Sequence, residues 1–411
     1  MTAAAAERVL RANWREGRRR DGTPYAFTCP AQRRYKHQWY WDSCFHAVAW
    51  SRLDPQRGRE ELRTLLRAGR ADGFVPHTAF WGASPRWRRA PLYATDRVWG
   101  DIATASIQTP LLAVAWERVA LACDDGGAFA AEGLPALRAH ARWLLRERDP
   151  DDDGLLTVLL PDESGLDDSP KYDAAYGRLA HWKPAGYARL VQRCRRHRWD
   201  ARAIAATSDE HVEDVLVNVA HALSLRALAR LSGEDQWNEH ARRTETALLE
   251  RCWDERHGLF FDLAGRAERP LKTATWSSLA PLALGDAIPR DVRERLAEQL
   301  ADPRRFGARF GIPSVSMSEP SFRPGFDAFR TWRGAAWTCS TWLLVGGLRA
   351  LGAADEADRI AQGALDAVER SGLREYYHPR SGAGHGERGF GMSALVLDLP
   401  AGLVPGTVQA A

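Results

Sequence analysis

The sequence predicts an all-α fold in which helices pair into a ring and short β-hairpins occupy the loops. Three observations carry this. Apolar residues recur at spacings of three and four in one segment after another. Buried Val/Ile-rich runs, which a doubly wound parallel sheet needs, are missing. Helix-loop-helix units continue over the 411 residues with no Pro/Gly/Ser-rich linker, so residues 1–411 read as one domain. An exact repeat is absent, which disfavours tetratricopeptide or ankyrin solenoids.

The elements follow in order. A helix over 43–52 starts after Asp42, which is placed to cap it. Helices are expected over 103–123, 134–147, 185–195, 211–231, 235–252, 290–300, 336–351 and 354–371. Pro184 sits in a first helical turn, the segment from Ser208 to His211 offers a cap, and Gly233 and Gly352 mark stops. Residues 154–160 and 258–262 follow turn signals and read as strands of small hairpins.

Composition excludes several classes of function. The 57 basic and 53 acidic residues leave a net charge of only +4, and no run resembles a basic arm, so nucleic acid is not an expected partner. The lysines are Lys36, Lys171, Lys183 and Lys272, so nearly all the positive charge is arginine spread over helix surfaces. No apolar stretch is long enough to span a membrane, and the first twenty residues lack the apolar core of a secretory signal. A cytoplasmic protein is therefore expected. Cys29, Cys44, Cys123, Cys194, Cys252 and Cys339 are scattered, so free buried thiols are expected rather than disulfides. Homo-oligomers remain compatible with all of this.

The 17 Trp are a high count, and they cluster: Trp39 with Trp41, Trp81 with Trp87, and Trp332, Trp337 and Trp342. Aromatic faces either fill a core or support the C–H face of a sugar ring. Carboxylates accompany several of them. Asp42 follows the Trp39-Tyr40-Trp41 run, where it either accepts from sugar hydroxyls or caps a helix. Asp162, Glu163, Asp167 and Asp168 fall within seven residues bounded by Pro161 and Pro170. Mutual repulsion there would raise the pKa of one of them, as a general acid requires, unless the loop is simply solvated. Arg333, between Trp332 and Trp337, suits either a polar ring or a structural carboxylate. Glu375 lies among aromatics ahead of a Gly-rich loop that lacks a phosphate-loop ending.

Asp149, Asp151 and Asp153, followed by Gly154, mimic the start of a calcium loop. The twelfth position is Leu160, where an EF-hand needs Glu, so a polar turn is the simpler reading. No metal or other cofactor is expected. There is no His-Glu-x-x-His, cysteine cluster or Gly-x-Ser-x-Gly elbow. What remains is carboxylates and aromatics in the loops of a helical ring, and glycoside hydrolysis needs two carboxyl groups and such a cleft.

At this point the chain resembles glycoside hydrolase family 63, especially its short bacterial mannosylglycerate and glucosylglycerate hydrolases. The resemblance runs through QWYWDSCFH (38–46), ESGLDDSP (163–170), VEDVLVN (212–218), WDERHGLFFD (253–262), TWRGAAW (331–337) and the stretch from Glu375 to Leu395. It implies a single (α/α)6 barrel and an inverting hydrolysis of a small α-glycoside, best matched by glucosylglycerate or mannosylglycerate. Asp167 corresponds to the general acid and Glu375 to the general base. Asp42 corresponds to a hydroxyl-gripping carboxylate, and Trp41, Trp332, Arg333 and Trp337 to walls of the sugar site; Trp39, beside Asp42, is a further candidate to support a ring face from the residue pattern itself. Tyr35 and Gln108 correspond to the aglycone side. Four departures from the pattern stand out: Asp168 replaces Asn, Asp162 replaces Trp, Ala335 replaces Pro, and Gly391-Met392 replaces Ser-Trp. Asp168 is thus a second candidate acid. The alternatives are a trehalase- or glucoamylase-like hydrolase of neutral α-glucosides and a sugar-binding protein without catalysis. A terpene cyclase is disfavoured, because it needs metal-binding acids on helices rather than in loops.

Overall fold

The computed structural model describes residues 3–82, 102–177 and 185–400. Trp87, Lys183 and Pro184 lie outside the described residues. The helices longer than one turn are α1 (Ala3–Asn13), α2 (Tyr40–Ser51), α3 (Pro55–Arg67), α4 (Leu112–Leu121), α5 (Gly126–Arg148), α6 (Ala185–Arg196), α7 (Ala201–Thr207), α8 (Val215–Ser232), α9 (Gln236–Ala247), α10 (Arg290–Ala301), α11 (Thr338–Leu351) and α12 (Ala354–Ser371). Tighter helical segments cover Trp276–Ala287 and Gly391–Leu397.

Packing closes on itself. Helix α2 lies on α4, α4 on α8, and α8 on 276–287. The 276–287 segment lies on α11, α11 on 391–397, and 391–397 returns to α2. Each of these six inner segments has an outer partner: α3, α5, α9, α10, α12 and α1 respectively. The division follows from side chains. Inner helix α2 is buried at every residue, and α11 from Thr338 through Leu348, as an element surrounded by others must be. Outer α12 buries only one stripe, including Ala357, Ile360, Ala364, Ala367 and Val368. One hydrophobic core runs from Ala6 to Leu399.

Strands are short and confined to the connections: β1 (Trp14–Arg18), β2 (Pro24–Thr28), β3 (Gln38–Trp39), β4 (Thr78–Ala79), β5 (Thr157–Val158), β6 (Val212–Glu213), β7 (Trp253–Asp254), β8 (Leu259–Phe260), β9 (Leu263–Ala264), β10 (Arg269–Pro270), β11 (Arg374–Tyr377) and β12 (Gly384–Arg388). Of the two expected hairpins, β7–β8 is one. In contrast, β5 pairs with the distant β6 in a four-stranded sheet of order β10-β9-β6-β5.

Several expectations need correction. Residues 103–111 are not helical. Their backbone is engaged by the β4 region instead: His77 N–H donates to Ser106, Thr104 N–H to Thr78, and Phe80 N–H to Ile102. Pro110 then precedes α4, where its missing N–H costs nothing. Helix α8 begins at Val215, not 211, because Asp214 rather than the Ser208 segment caps it by accepting from Val217 N–H at 3.0 Å. Helix α2 begins at Tyr40, so Asp42 lies inside its first turn and is not its cap. Gly233 and Gly352 do close α8 and α11, both in the left-handed conformation.

Candidate active site

A solvent-open cavity lies where the inner segments α2, α4, α11 and 391–397 begin. Tyr35, Trp39, Trp41, Asp42, Gln108, Asp167, Trp332, Trp337 and Glu375 line it. His77, Gly165, Thr331, Phe390 and Met392 complete the wall. Helix N-termini carry partial positive charge, so this end of the ring suits carboxylates and polar ligands.

Asp167 comes from the loop between two short helical turns, Pro161–Ser164 and Pro170–Tyr172. The loop is not a solvated acidic patch. Glu163 receives both terminal nitrogens of Arg148, at 2.8 and 2.9 Å, and both residues are nearly inaccessible. It also accepts the backbone N–H groups of Ile107 and Leu159. Asp162 accepts from the Tyr187 hydroxyl at 2.8 Å. Asp168 accepts the Trp332 N–H at 3.2 Å and does not line the cavity. Of the four carboxylates, Asp167 alone lines the cavity and is only half-buried. Gly165 makes the turn before it: φ is +78°, and a Cβ there would stand 2.5 Å from the Trp41 ring.

Glu375 lies on β11, 2% exposed. The β11–β12 register shifts between Arg374 and Tyr376, so Gly386 and Glu387 both face Glu375. The N–H freed by this bulge, that of Glu387, donates to Glu375 Oε2 at 2.9 Å. Gly386 is required here, since φ is +65° and a Cβ would fall 2.3 Å from the same oxygen. The Tyr35 hydroxyl donates to Oε1. Burial raises the Glu375 carboxyl above its ordinary pKa, while these two donors oppose the shift.

Asp42 is 5% exposed, and its Oδ1 has no hydrogen-bond partner among the described residues. Burial pushes its carboxyl up to about 8, and the charges of Glu375 and Asp167 add to that. The three carboxyl groups, drawn from three distant parts of the chain, therefore act on one another. Gln108 Oε1 accepts the Trp41 N–H at 2.9 Å and ties the start of α2 to the 102–111 segment. Tyr35, expected on the aglycone side, has its hydroxyl on Glu375.

Some tryptophans gather at the cavity and others fill the core. Trp332 and Trp337 stack at 4.0 Å, with Trp41 beside Trp332 at 6.0 Å and Tyr376 behind Trp337 at 5.4 Å. Trp50, Trp116, Trp237, Trp276 and Trp342 are fully buried core residues. Trp81 belongs to a small separate cluster with Phe27 and Cys29.

Arg333 departs from expectation. It is not among the lining residues, and its guanidinium forms a two-pronged pair with Asp173 at 2.7 and 3.1 Å. A carboxylate six residues beyond Asp167 thus takes the group expected to grip sugar. Sequence reasoning missed His77, Thr331 and Phe390. His77 lies in a short extended stretch before β4 with no motif around it, and its ring meets Trp39 edge-on at 5.1 Å. Met392 stands where the resemblance flagged a missing Trp, which was a usable signal.

Comparison with known proteins bears on the family and the fold. The family model described as "Mannosylglycerate hydrolase MGH1-like glycoside hydrolase domain" matches residues 35–393. The chain is 34% identical to mannosylglycerate hydrolase of Thermus thermophilus, over 90% of this chain and 95% of that protein. It is 28% identical to glucosylglycerate hydrolase of Mycolicibacterium hassiacum, over 86% and 89% respectively. The crystal structure of the Thermus thermophilus family 63 mannosylglycerate hydrolase in complex with glucose superposes with a TM-score of 0.84 at 32% identity, covering 97% of this chain and 99% of that one. The chain belongs to glycoside hydrolase family 63, in its mannosylglycerate hydrolase MGH1-like branch.

Proposed function

We propose that this glycoside hydrolase inverts configuration at the anomeric carbon of a small α-glycoside of glycerate, glucosylglycerate or mannosylglycerate, releasing the sugar and glycerate. The observation that carries the mechanism is the meeting of Asp167 and Glu375 in one cavity although 208 positions separate them in sequence. Asp167 gives its proton to the glycosidic oxygen as the C–O bond breaks. Glu375 removes a proton from a water that attacks the opposite face of the ring. Asp42 accepts hydrogen bonds from ring hydroxyls through its unpartnered Oδ1, which suits a site one sugar deep. The stacked Trp332–Trp337 pair and Trp41 exclude water and support the ring.

The glycerate aglycone is supported by the activities of the curated relatives, which are named for mannosylglycerate and glucosylglycerate. We read the ring of six inner and six outer segments as one (α/α)6 barrel forming a single domain. Cysteines without disulfides among the described residues favour a reducing compartment such as the cytoplasm. Proton NMR of the first-formed sugar tests the stereochemistry: the β-anomer must appear first. Assays on glucosylglycerate and mannosylglycerate beside trehalose, kojibiose, nigerose and glucosylglycerol test the substrate, and turnover of the neutral sugars alone refutes the glycerate assignment.

A further inference from the structure

We propose that Asp173 and Arg333 form a positioning pair, which locks the loop carrying Asp167 to the aromatic wall of the cavity so that proton donor and sugar support move as one body. This rests on the reading of Asp167 as the general acid. The loop itself is fixed at both ends by buried charges. Ahead of Asp167, Glu163 holds Arg148. Behind it, Lys171, 1% exposed, reaches Asp214 at 2.6 Å, and Asp262 and Ser277 at 3.1 Å each. Asp214 and Asp262 in turn accept the N–H groups of Val217 and Val215, so this end of the loop is tied to the start of α8.

The wall segment lies along the same loop, and three of its consecutive residues meet two carboxylates. Asp168 accepts the Thr331 hydroxyl at 3.4 Å and the Trp332 N–H at 3.2 Å. Asp173 accepts from both terminal nitrogens of Arg333, at 2.7 and 3.1 Å. The bonds to Asp168 are long, whereas a two-pronged guanidinium–carboxylate pair fixes distance and orientation together. The pair is partly sheltered, with 12% of the Arg333 side chain and 34% of the Asp173 side chain exposed, so solvent screens it incompletely.

Trp332 carries the effect into the cavity. Its ring stacks on Trp337, whose indole N–H donates back to the Thr331 carbonyl at 3.2 Å. Upstream, residues 323–330 run near the surface, with Phe326 and Phe329 mostly exposed, so apolar burial does not set the approach to Trp332. Arg333 thus acts through Asp173 and not on the sugar. Reacting geometry is sensitive to shifts of about 1 Å, so releasing the pair misaligns Asp167 against a ring that rests on the wall.

The test compares Arg333→Met, Asp173→Ala and the double variant with the wild type, on whichever α-glycoside the wild type hydrolyses and on the α-fluoride of the same sugar. Each single variant should lose kcat by about 10-fold or more on the glycoside, and the double variant should lose no more than either. The loss should shrink on the fluoride, whose leaving group needs little protonation. The exciton band of the Trp332–Trp337 stack, identified as the circular-dichroism band that Trp337→Phe removes, should weaken in both single variants well below their Tm. Normal kcat in either single variant, losses that multiply in the double, an equal loss on the fluoride or an unchanged band overturns the proposal. Full turnover by Asp167→Asn refutes the general-acid reading and the pair's purpose with it, whereas multiplying losses beside an inactive Asp167→Asn refute the pair alone.

Discussion

The Tyr35 hydroxyl donates a hydrogen bond of 2.7 Å to Oε1 of Glu375. Burial, and then the Glu375 charge, raise the Tyr35 phenol well above its ordinary range, so it stays a donor. The bond favours the ionised form of the carboxylate, which is the form the proposed base needs. Tyr35→Phe should therefore move the acidic limb of the pH–kcat profile upward by about one unit. An unchanged limb would show that the contact does not tune the base.

The acid loop makes a sharp distinction between adjacent residues. Asp167→Asn and Glu375→Gln should each lower kcat by ~10²-fold or more while leaving Tm near that of the wild type. Asp168→Asn keeps an acceptor for the Trp332 N–H and should stay within a few-fold of normal turnover. If instead Asp168→Asn were the inactive variant, the acid would have to be reassigned.

Asp42 links pH to stability. Its folded pKa of about 8 lies above the unfolded value of ~3.9, so folding favours the protonated form. The contribution is complete below about pH 4 and is lost as pH rises through about 8. Tm measured by scanning calorimetry should fall across that window, and Asp42→Asn should remove part of the fall. Glu61, also raised to about 8 by burial, should maintain the remainder. Parallel Tm–pH curves for wild type and Asp42→Asn would contradict this.

Glu163 and Arg148 hold the acid loop against α5 with both charges out of water. Glu163→Ala strands Arg148, which is 1% exposed, and should cost about 3–5 kcal/mol in denaturant unfolding. A loss below about 1 kcal/mol would mean that water or another carboxylate reaches Arg148.

Much of this was readable from residues alone. Helices α10, α11 and α12 follow their apolar spacing to within a residue or two, because packing decides them and the spacing records it. The 103–111 segment misleads because Ala103, Ile107 and Leu111 mimic a helical stripe. The segment is held extended instead by long-range partners that periodicity does not encode: Ala103 bridges Ala79, and the Ile107 N–H donates to Glu163. Asp167 and Glu375 stand out because family motifs mark them. The partner of Arg333 does not, since Asp173 becomes its neighbour only through the fold.

Ring closure sets the order in which the protein becomes competent during translation. The 391–397 segment seals the circle against α2, and Glu375 belongs to the hairpin just ahead of it. A nascent chain on the ribosome holds only an open arc of helices, with the apolar flank of α2 uncovered, until that late stretch emerges. Folding is then governed by a contact between α2 and the much later 391–397 segment, which favours slow, all-or-none maturation and exposes the unfinished arc to chaperones.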